Sequence, residues 1–524
     1  MINKNDEFEL LITDIGNDGE GIGRYDGMAF FVKGAVIGDR ILAGATKLKK
    51  TYGYARVVRV LQPSPFRVTP PCPIASRCGG CQLQNLDYGK QLDFKENKVL
   101  NDLIRLGEIA PERFVRDSAA ETVAGNDKNT DESIRTAASA RVHFHNIIGM
   151  DNPINYRNKG QFPVGTDKTG KTVTGFYAGH SHSIVSADSC MIQHKITDCV
   201  MRTVRDFLDE EKISVFDENL AARCQEAANA GKKVKKPDLG LVRHVLTRVG
   251  FVTHEVMVCV VINGDELPAW KKLAKRLEST ITGYDDTYRL CSFSVNINKE
   301  ITNVILGEKV ITLYGNGYIT DFIGDIKYQI SPLSFYQVNP VQTEVLYSTA
   351  LKYAGVVSDV LQKENDLLEQ TVNKGVIWDL YCGIGTISLF LAQKAKKVYG
   401  VEIVPQAIED AKRNAEINGL DNVEFFVGAA EEILPRKYEE DPSMKADVIV
   451  VDPPRKGCDT RLLETLVKLA PERIVYVSCD PATLSRDVKY LEQSGYALTE
   501  VQPVDQFPFS VHVETVCLLS RKDN

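Results

Sequence analysis

The spacing of apolar and polar positions changes character along this chain. Through residues 7–60 the strand-like runs "EFELLITDIG" and "GMAFFVKGAVIGDRILAGATKLKK" are separated by the glycine-rich "GNDGEGIGRYDG", the pattern of a small β unit. From Tyr88 to Gly107, "YGKQLDFKENKVLNDLIRLG" predicts an amphipathic helix with Leu92, Val99, Leu100, Leu103 and Ile104 on its apolar side. Roughly Asn155 to Gln337 mixes strands and helices. The last third alternates regularly: "GVIWDLY", "KVYGVEI", "VEFFVG", "DVIVVD" and "RIVYVS" read as strands with helical segments between them. That alternation predicts an α/β fold with a parallel sheet and right-handed crossovers.

The connecting segments refine the division. A Pro-rich stretch, "LQPSPFRVTPPCPIASRCGGCQLQNL", carries three cysteines. The polar "RDSAAETVAGNDKNTDESIRTAASA" (Arg116 to Ala140) is expected to be a flexible insertion without a core of its own. The basic "GKKVKKP" (Gly231 to Pro237) reads as a solvated loop.

Composition adds exclusions. With 43% hydrophobic and 25% charged residues the chain is ordinary for a globular protein. Its longest apolar runs, such as "VMVCVVI", are far too short to span a bilayer, and acidic residues stand where a signal peptide would need its apolar core. We expect a cytoplasmic protein without membrane contact, and a monomer, since nothing points to an obligate protein partner. A net charge of −7 argues against an unselective nucleic-acid binder but leaves room for one basic face. "KLKKTYGYARVVRV" suits phosphate contact with base stacking, or equally a solvated barrel strand. Twelve cysteines in a large, cytosolic-type chain suggest metal or catalytic thiols before disulfides.

"WDLYCGIGTISLFLA" gives a strand, a Gly-x-Gly turn and a helix start. Gly383 and Gly385 let the backbone approach a ligand closely, and the next strand ends in Glu402, placed to accept hydrogen bonds from two ribose hydroxyls. A dinucleotide site wants a third small residue as Gly or Ala, and here that place holds Ser388. S-adenosylmethionine has a ribose but no pyrophosphate, so the residues favour the methyl donor over NAD.

Asp452 ends the fourth strand of this region and is followed by Pro453 and Pro454, a stiff wall at the mouth of the sheet. Cys479 ends the fifth. Ligands of open α/β sheets lie outside the carboxyl ends of the strands, so Asp452, Cys479, Gly383 and Glu402 should flank one pocket. "Asp-Pro-Pro" resembles the acidic Pro-Pro motif of amino-group methyltransferases, but those enzymes need no thiol. A pyrimidine C5 does need one, because it is a poor nucleophile until a thiolate adds to C6. A base must then remove the C5 proton. Glu514 and His512, in "FPFSVHVETVCLLSRK", are both candidates on an expected final strand with alternating Val511, Val513 and Thr515. The alternative for Cys479 is an inert buried thiol.

The ordered set "SPLSFYQVN", "DLYCGIGTISL", "VEIVPQAIEDAKRNAEING", "VDPPRKG", "SCDPATLSRD" and "HVETV" resembles the RNA uracil-5-methyltransferase family, which makes 5-methyluridine in ribosomal and transfer RNA. The resemblance implies Cys479 as nucleophile and Glu514, rather than His512, as base. It implies that Gln337, Tyr381, Gly383, Glu402 and Asp452 hold S-adenosylmethionine, that Asp452 also meets the uracil, and that Phe335 packs near a flipped base. It further implies a TRAM-like RNA-binding β-barrel at 1–60, a linker with cysteines and a helix at 61–115, the insertion at 116–150, a central RNA-binding domain at 151–340 containing "YRNKGQFPV" and "LVRHVLTRVG", and a Rossmann-like methyltransferase domain at 341–524. Cys72, Cys78, Cys81 and Cys190 resemble the [4Fe–4S] site of the ribosomal-RNA branch, with zinc as the other occupant four thiolates suit. The expected substrate is therefore a uracil in 23S ribosomal RNA. Rival readings are a transfer-RNA uracil methyltransferase, an RNA cytosine-5-methyltransferase, an iron–sulfur RNA-binding protein without methyl transfer, and a nicotinamide-dependent oxidoreductase.

Overall fold

The computed structural model describes residues 2–117, 141–179, 181, 183–230, 237–355 and 375–522. Near the N-terminus, the strands Glu7–Ile15, Gly21–Tyr25, Met28–Lys33, Arg40–Leu48 and Tyr52–Gln62 close a five-stranded barrel. Its interior is filled from alternating positions, among them Phe8, Leu10, Ile12, Phe30, Val32 and Ile41. Period-two burial is what a one-sided strand requires. Buried Asp39 ties the barrel to the following segment, accepting from the Ser64 amide at 2.9 Å and the Arg67 Nε at 3.0 Å.

The central region is a seven-stranded sheet with three helices, Lys195–Glu210, Glu218–Asn229 and Trp270–Tyr284. Strands Val242–Val249 and Glu255–Ile262 run through its middle, and the second pairs in parallel with Arg289–Ile297. The hairpin Ile319–Ile323 and Ile326–Ile330 packs into the same core as the C-terminal sheet, so the two regions share a hydrophobic interior.

In the C-terminal third, Val376–Leu380, Lys397–Glu402, Val423–Val427, Val448–Val451 and Arg473–Ser478 form the expected parallel set. They belong to a nine-stranded sheet in which Glu514–Arg521 lies antiparallel between Arg473–Ser478 and Tyr496–Val504.

Three local expectations need correction. The final strand begins at Glu514, not at Val511: Phe507 to Ser510 turn first, with Phe509 in left-handed backbone at φ +67°. The helix Tyr88–Arg105 buries Gln91 and Lys95 along with Val99 and Leu103, while Leu92, Leu100 and Ile104 are only half-buried. Those two polar side chains are drawn inward because they hold that same turn. Lys95 Nζ meets Asp505 Oδ1 at 2.5 Å and the Phe507 carbonyl at 2.9 Å, and Gln91 Oε1 accepts the Phe509 amide at 3.1 Å. Thirdly, the span 116–150 is not wholly an insertion. Val142–Phe144 is a strand with Val142 and Phe144 buried; it pairs in parallel with Tyr496–Val504 on one side and with the edge strand Phe114–Arg116 on the other. Residues 118–140 and the basic loop at 231–236 lie outside the described residues.

Candidate active site

The carboxyl ends of the parallel strands open into one cavity of about 720 Å³, a size suited to a small-molecule cofactor together with a base. Gln337, Tyr381, Gly383, Glu402, Asp452, Cys479 and Glu514 all line it, as does Phe335 at 70% exposure.

The first strand ends in a strained turn. Tyr381 takes φ +67°, unusual for a residue with a side chain, and its amide donates to the Val401 carbonyl at 2.9 Å. Gly383 follows at φ +55°, and a Cβ built there would meet nothing within 4 Å, so the backbone faces open cavity. A Cβ on Gly385 would instead press on Phe425 at 3.0 Å and Ala411 at 3.2 Å. One glycine leaves space for a ligand; the other lets the helix Thr386–Ala392 pack. Glu402 is fixed by two amides, Gly383 at 3.2 Å and Val404 at 3.0 Å, one on each carboxylate oxygen. Each oxygen keeps a further lone pair for a ligand hydroxyl. Exposed Ile403 and Val404 add an apolar shelf beside it. Ser388 turns inward and donates to the buried Asp379 carboxylate at 2.5 Å.

The reactive end is set by burial. Asp452 has its carboxyl pushed up to about 7 by desolvation alone. Glu514, on the first residue of its strand, is pushed up to about 8 by burial and then by the Asp452 charge, with Arg455 opposing. Cys479 stands between a strand end and a helix whose N-cap, Asp480, accepts the Ala482 and Thr483 amides at 3.1 and 3.0 Å. A helix N-terminus favours a thiolate. Here burial, then Glu514 and Asp452, outweigh it and push the thiol up to about 12. Cys479 rests as a thiol beside two carboxyls that readily hold protons.

The sequence reading assigned nothing to Arg455 and Lys456, which also line the cavity, although they follow the two prolines directly in "VDPPRKG". Arg455 lies 3.4 Å from His512 Nε2. Burial, then Arg455, pushes His512 down to about 4. A neutral imidazole beside a guanidinium accepts a hydrogen bond and is a weak base, which leaves Glu514 the stronger proton acceptor of the pair.

The four N-terminal and central cysteines gather elsewhere. Cys72, Cys78, Cys81 and Cys190 are all free and half-buried. Cys81 is pushed up to about 11 by burial and by the neighbouring Cys78 and Cys72, and Cys190 up to about 12 by burial and by Cys81. Amides point at sulfur: Gly80 donates to Cys78 at 3.4 Å, and Ile192 and Gln193 donate to Cys190. Among the described residues, however, no three or more His, Cys, Asp or Glu side chains are arranged to hold a metal ion. The four thiols neighbour one another without closing a coordination shell.

A glycine turn, an acidic second strand end and a cavity at the carboxyl edge define a methyltransferase fold, here joined to a small barrel. Comparison with known proteins carries this further. Residues 352–522 match the family model described as tRNA (Uracil-5-)-methyltransferase, and residues 3–58 match the TRAM domain. An uncharacterized RNA methyltransferase of Caldanaerobacter subterraneus subsp. tengcongensis is 43% identical over 98% of both chains, and one of Halalkalibacterium halodurans is 44% identical over 100% of this chain and 98% of its own. Among solved structures, the tRNA (uracil-54, C5)-methyltransferase of Pyrococcus abyssi in complex with S-adenosyl-L-homocysteine is 26% identical, with a TM-score of 0.66 over 98% of this chain and 100% of that one. The chain belongs to the RNA uracil-5-methyltransferase family.

Proposed function

We propose that the protein methylates C5 of a uracil in ribosomal RNA, using S-adenosylmethionine and a covalent bond from Cys479 to C6. The observation that carries this is the meeting of Cys479, Asp452 and Glu514 in the cavity that also holds the Gly383 turn and Glu402. Glu402, Gly383, Tyr381 and Gln337 fit the cofactor, which supplies an electrophilic methyl group. As Cys479 Sγ adds to C6, its thiol proton passes to the Asp452 carboxylate, and the C5–C6 π electrons move toward C5 and the C4 oxygen. C5 would take the methyl group from the sulfonium, the electrons of the broken S–CH3 bond staying with the sulfur of S-adenosylhomocysteine, and C5 then briefly carries both the methyl group and a proton. The Glu514 carboxylate removes that proton, the electrons restore the C5–C6 double bond, and the C6–S bond breaks to release a thiolate. Asp452, at the same mouth, is placed to hydrogen-bond the ring while it carries charge.

The covalent route is tested by Cys479→Ala. The variant should bind S-adenosylmethionine as the native protein does and form no 5-methyluridine by mass spectrometry of digested RNA; methylation by this variant would refute the route. The cysteine set supports ribosomal RNA by its resemblance, and we infer that it holds a [4Fe–4S] cluster rather than zinc. Brown protein with iron and sulfide on analysis supports this; zinc alone refutes it. Transfer RNA is the second reading, favoured by the Pyrococcus abyssi structure. Mapping 5-methyluridine in both RNAs from cells with and without the protein decides between them.

A further inference from the structure

The carboxyl read as the base stands at the end of a loop. Glu514 opens its strand directly opposite Val504, so residues 505–513 join two paired residues without a ladder of their own. Phe507, His512 and Glu514 all reach the cavity from this stretch. A carboxylate that must meet one carbon of a bound ring needs its backbone held to a fraction of an ångström.

One face of the helix Tyr88–Arg105 supplies that hold. Tyr88, Gln91, Lys95 and Lys98 follow one another at spacings of three and four, which makes a single stripe. Each grips the loop at its own place. Tyr88 Oη donates to Asp505 Oδ2 at 2.7 Å, and Lys95 Nζ ties Asp505 Oδ1 to the Phe507 carbonyl. Gln91 Oε1 accepts the Phe509 amide, and Lys98 Nζ donates to the Val511 carbonyl at 3.4 Å. Gln91, Lys95 and Asp505 are wholly buried. Exchanging a buried ion pair for apolar groups is often neutral to stability, so stability alone is a poor account of this one. Further along, the helix packs Val99 and Leu103 into one core with Leu484 and Val488 of the helix Pro481–Gln493, which begins just after Cys479. The same helix is thus braced against the frame of the thiol and fastened to the loop that ends in Glu514.

We propose that Lys95 is a positioning residue for the base: through Asp505 and the Phe507 carbonyl, with Tyr88, Gln91 and Lys98 along the same stripe, it holds the Glu514 carboxyl in register with Cys479. The proposal rests on the reading of Glu514 as the base of a uracil C5 methyltransferase. On that reading, bond formation to C6 and methyl transfer proceed without Glu514, and only loss of the C5 proton requires it. Loosening the loop should therefore slow the last stage and spare the earlier ones.

The test follows transfer of a labelled methyl group from S-adenosylmethionine, by the full chain, to RNA extracted from cells lacking the protein. Lys95→Met combined with Asp505→Leu leaves no charge buried alone. In that variant the methylated protein–RNA adduct should form at the native rate and break down to free RNA about 10²-fold more slowly. Gln91→Met keeps the ion pair, should show the same split to a smaller degree, and carries the test if the double variant does not fold. Hydrogen exchange across residues 505–513 should rise in both variants while that of Arg473–Ser478 stays native. A merely structural role would slow adduct formation and breakdown alike, and that result overturns the proposal. So does native breakdown with raised exchange, and so does unchanged exchange. If native protein forms no 5-methyluridine while the variants still raise exchange, the methylation reading fails and the fastening of the loop by Lys95 stands.

Discussion

Cys479 and the N-terminal and central cysteine set occupy different settings in this molecule, and burial raises the thiol in both. Cys479 is pushed up to about 12 and so is Cys190, so proton affinity alone does not tell a nucleophile from a ligand. The neighbours do. Cys479 has Glu514 and Asp452 beside it and a cavity in front of it. Cys81 has Cys78 and Cys72, and packs with Cys190 against Tyr156, Ile192 and Phe509. A lone thiol among carboxyls can exchange protons with them and meet a substrate. Several thiols among amides and apolar walls have no such proton partners, and the proposed cluster is the role that suits them.

The difference can be broken from either side. The largest effect is expected from Glu514→Gln, which removes the base after the sulfur has bonded. Turnover should fall by about 10²–10⁴-fold, and a methylated protein–RNA adduct should persist on denaturing gels; a variant that turns over freely ends the assignment. Acidity gives a smaller effect. Glu514 must be ionised to act, and its raised value of about 8 leaves it mostly protonated below that pH. The single-turnover rate should therefore climb about tenfold per pH unit below 8 and level above it. Stability carries the opposite sign. The folded state holds this proton more tightly than the unfolded chain, so the Glu514 contribution is full below about 4.5 and is lost as pH rises through about 8. A flat rate profile from pH 6 to 8 would remove Glu514 from the rate. Smallest in its effect on chemistry is Cys81→Ser. It should lower bound iron and melting temperature while alkylation of Cys479 by iodoacetamide proceeds at the native rate. A changed alkylation rate would mean that the two settings are not independent.

The cavity was legible because its residues sit where local patterns end. Gly383, Glu402, Asp452 and Cys479 each close an apolar run, and a parallel sheet brings such ends together whatever the distant sequence does. The elements that were misread answer to partners far along the chain. Alternation of Val511, Val513 and Thr515 looks like a strand, but Asp505 and Phe507 are held by Lys95 and the chain turns before it can pair. Gln91 and Lys95 look like the wet side of a helix until that turn is placed against them. Val142–Phe144 is too short to announce itself and becomes a strand because Tyr496–Val504 and Phe114–Arg116 flank it. Arg455 was in plain view, but its cation becomes informative only beside Glu514 and Cys479.

The strand Glu514–Arg521 lies between two strands that precede it in sequence. Tyr496–Val504 therefore has no place beside Arg473–Ser478 until the later segment slides between them. A nascent chain ending before residue 514 would carry the whole glycine turn and the thiol, yet lack both the wedge that completes the sheet and the carboxyl proposed as the base. On the proposed mechanism, turnover thus waits for the last strand, which completes the sheet and the site together.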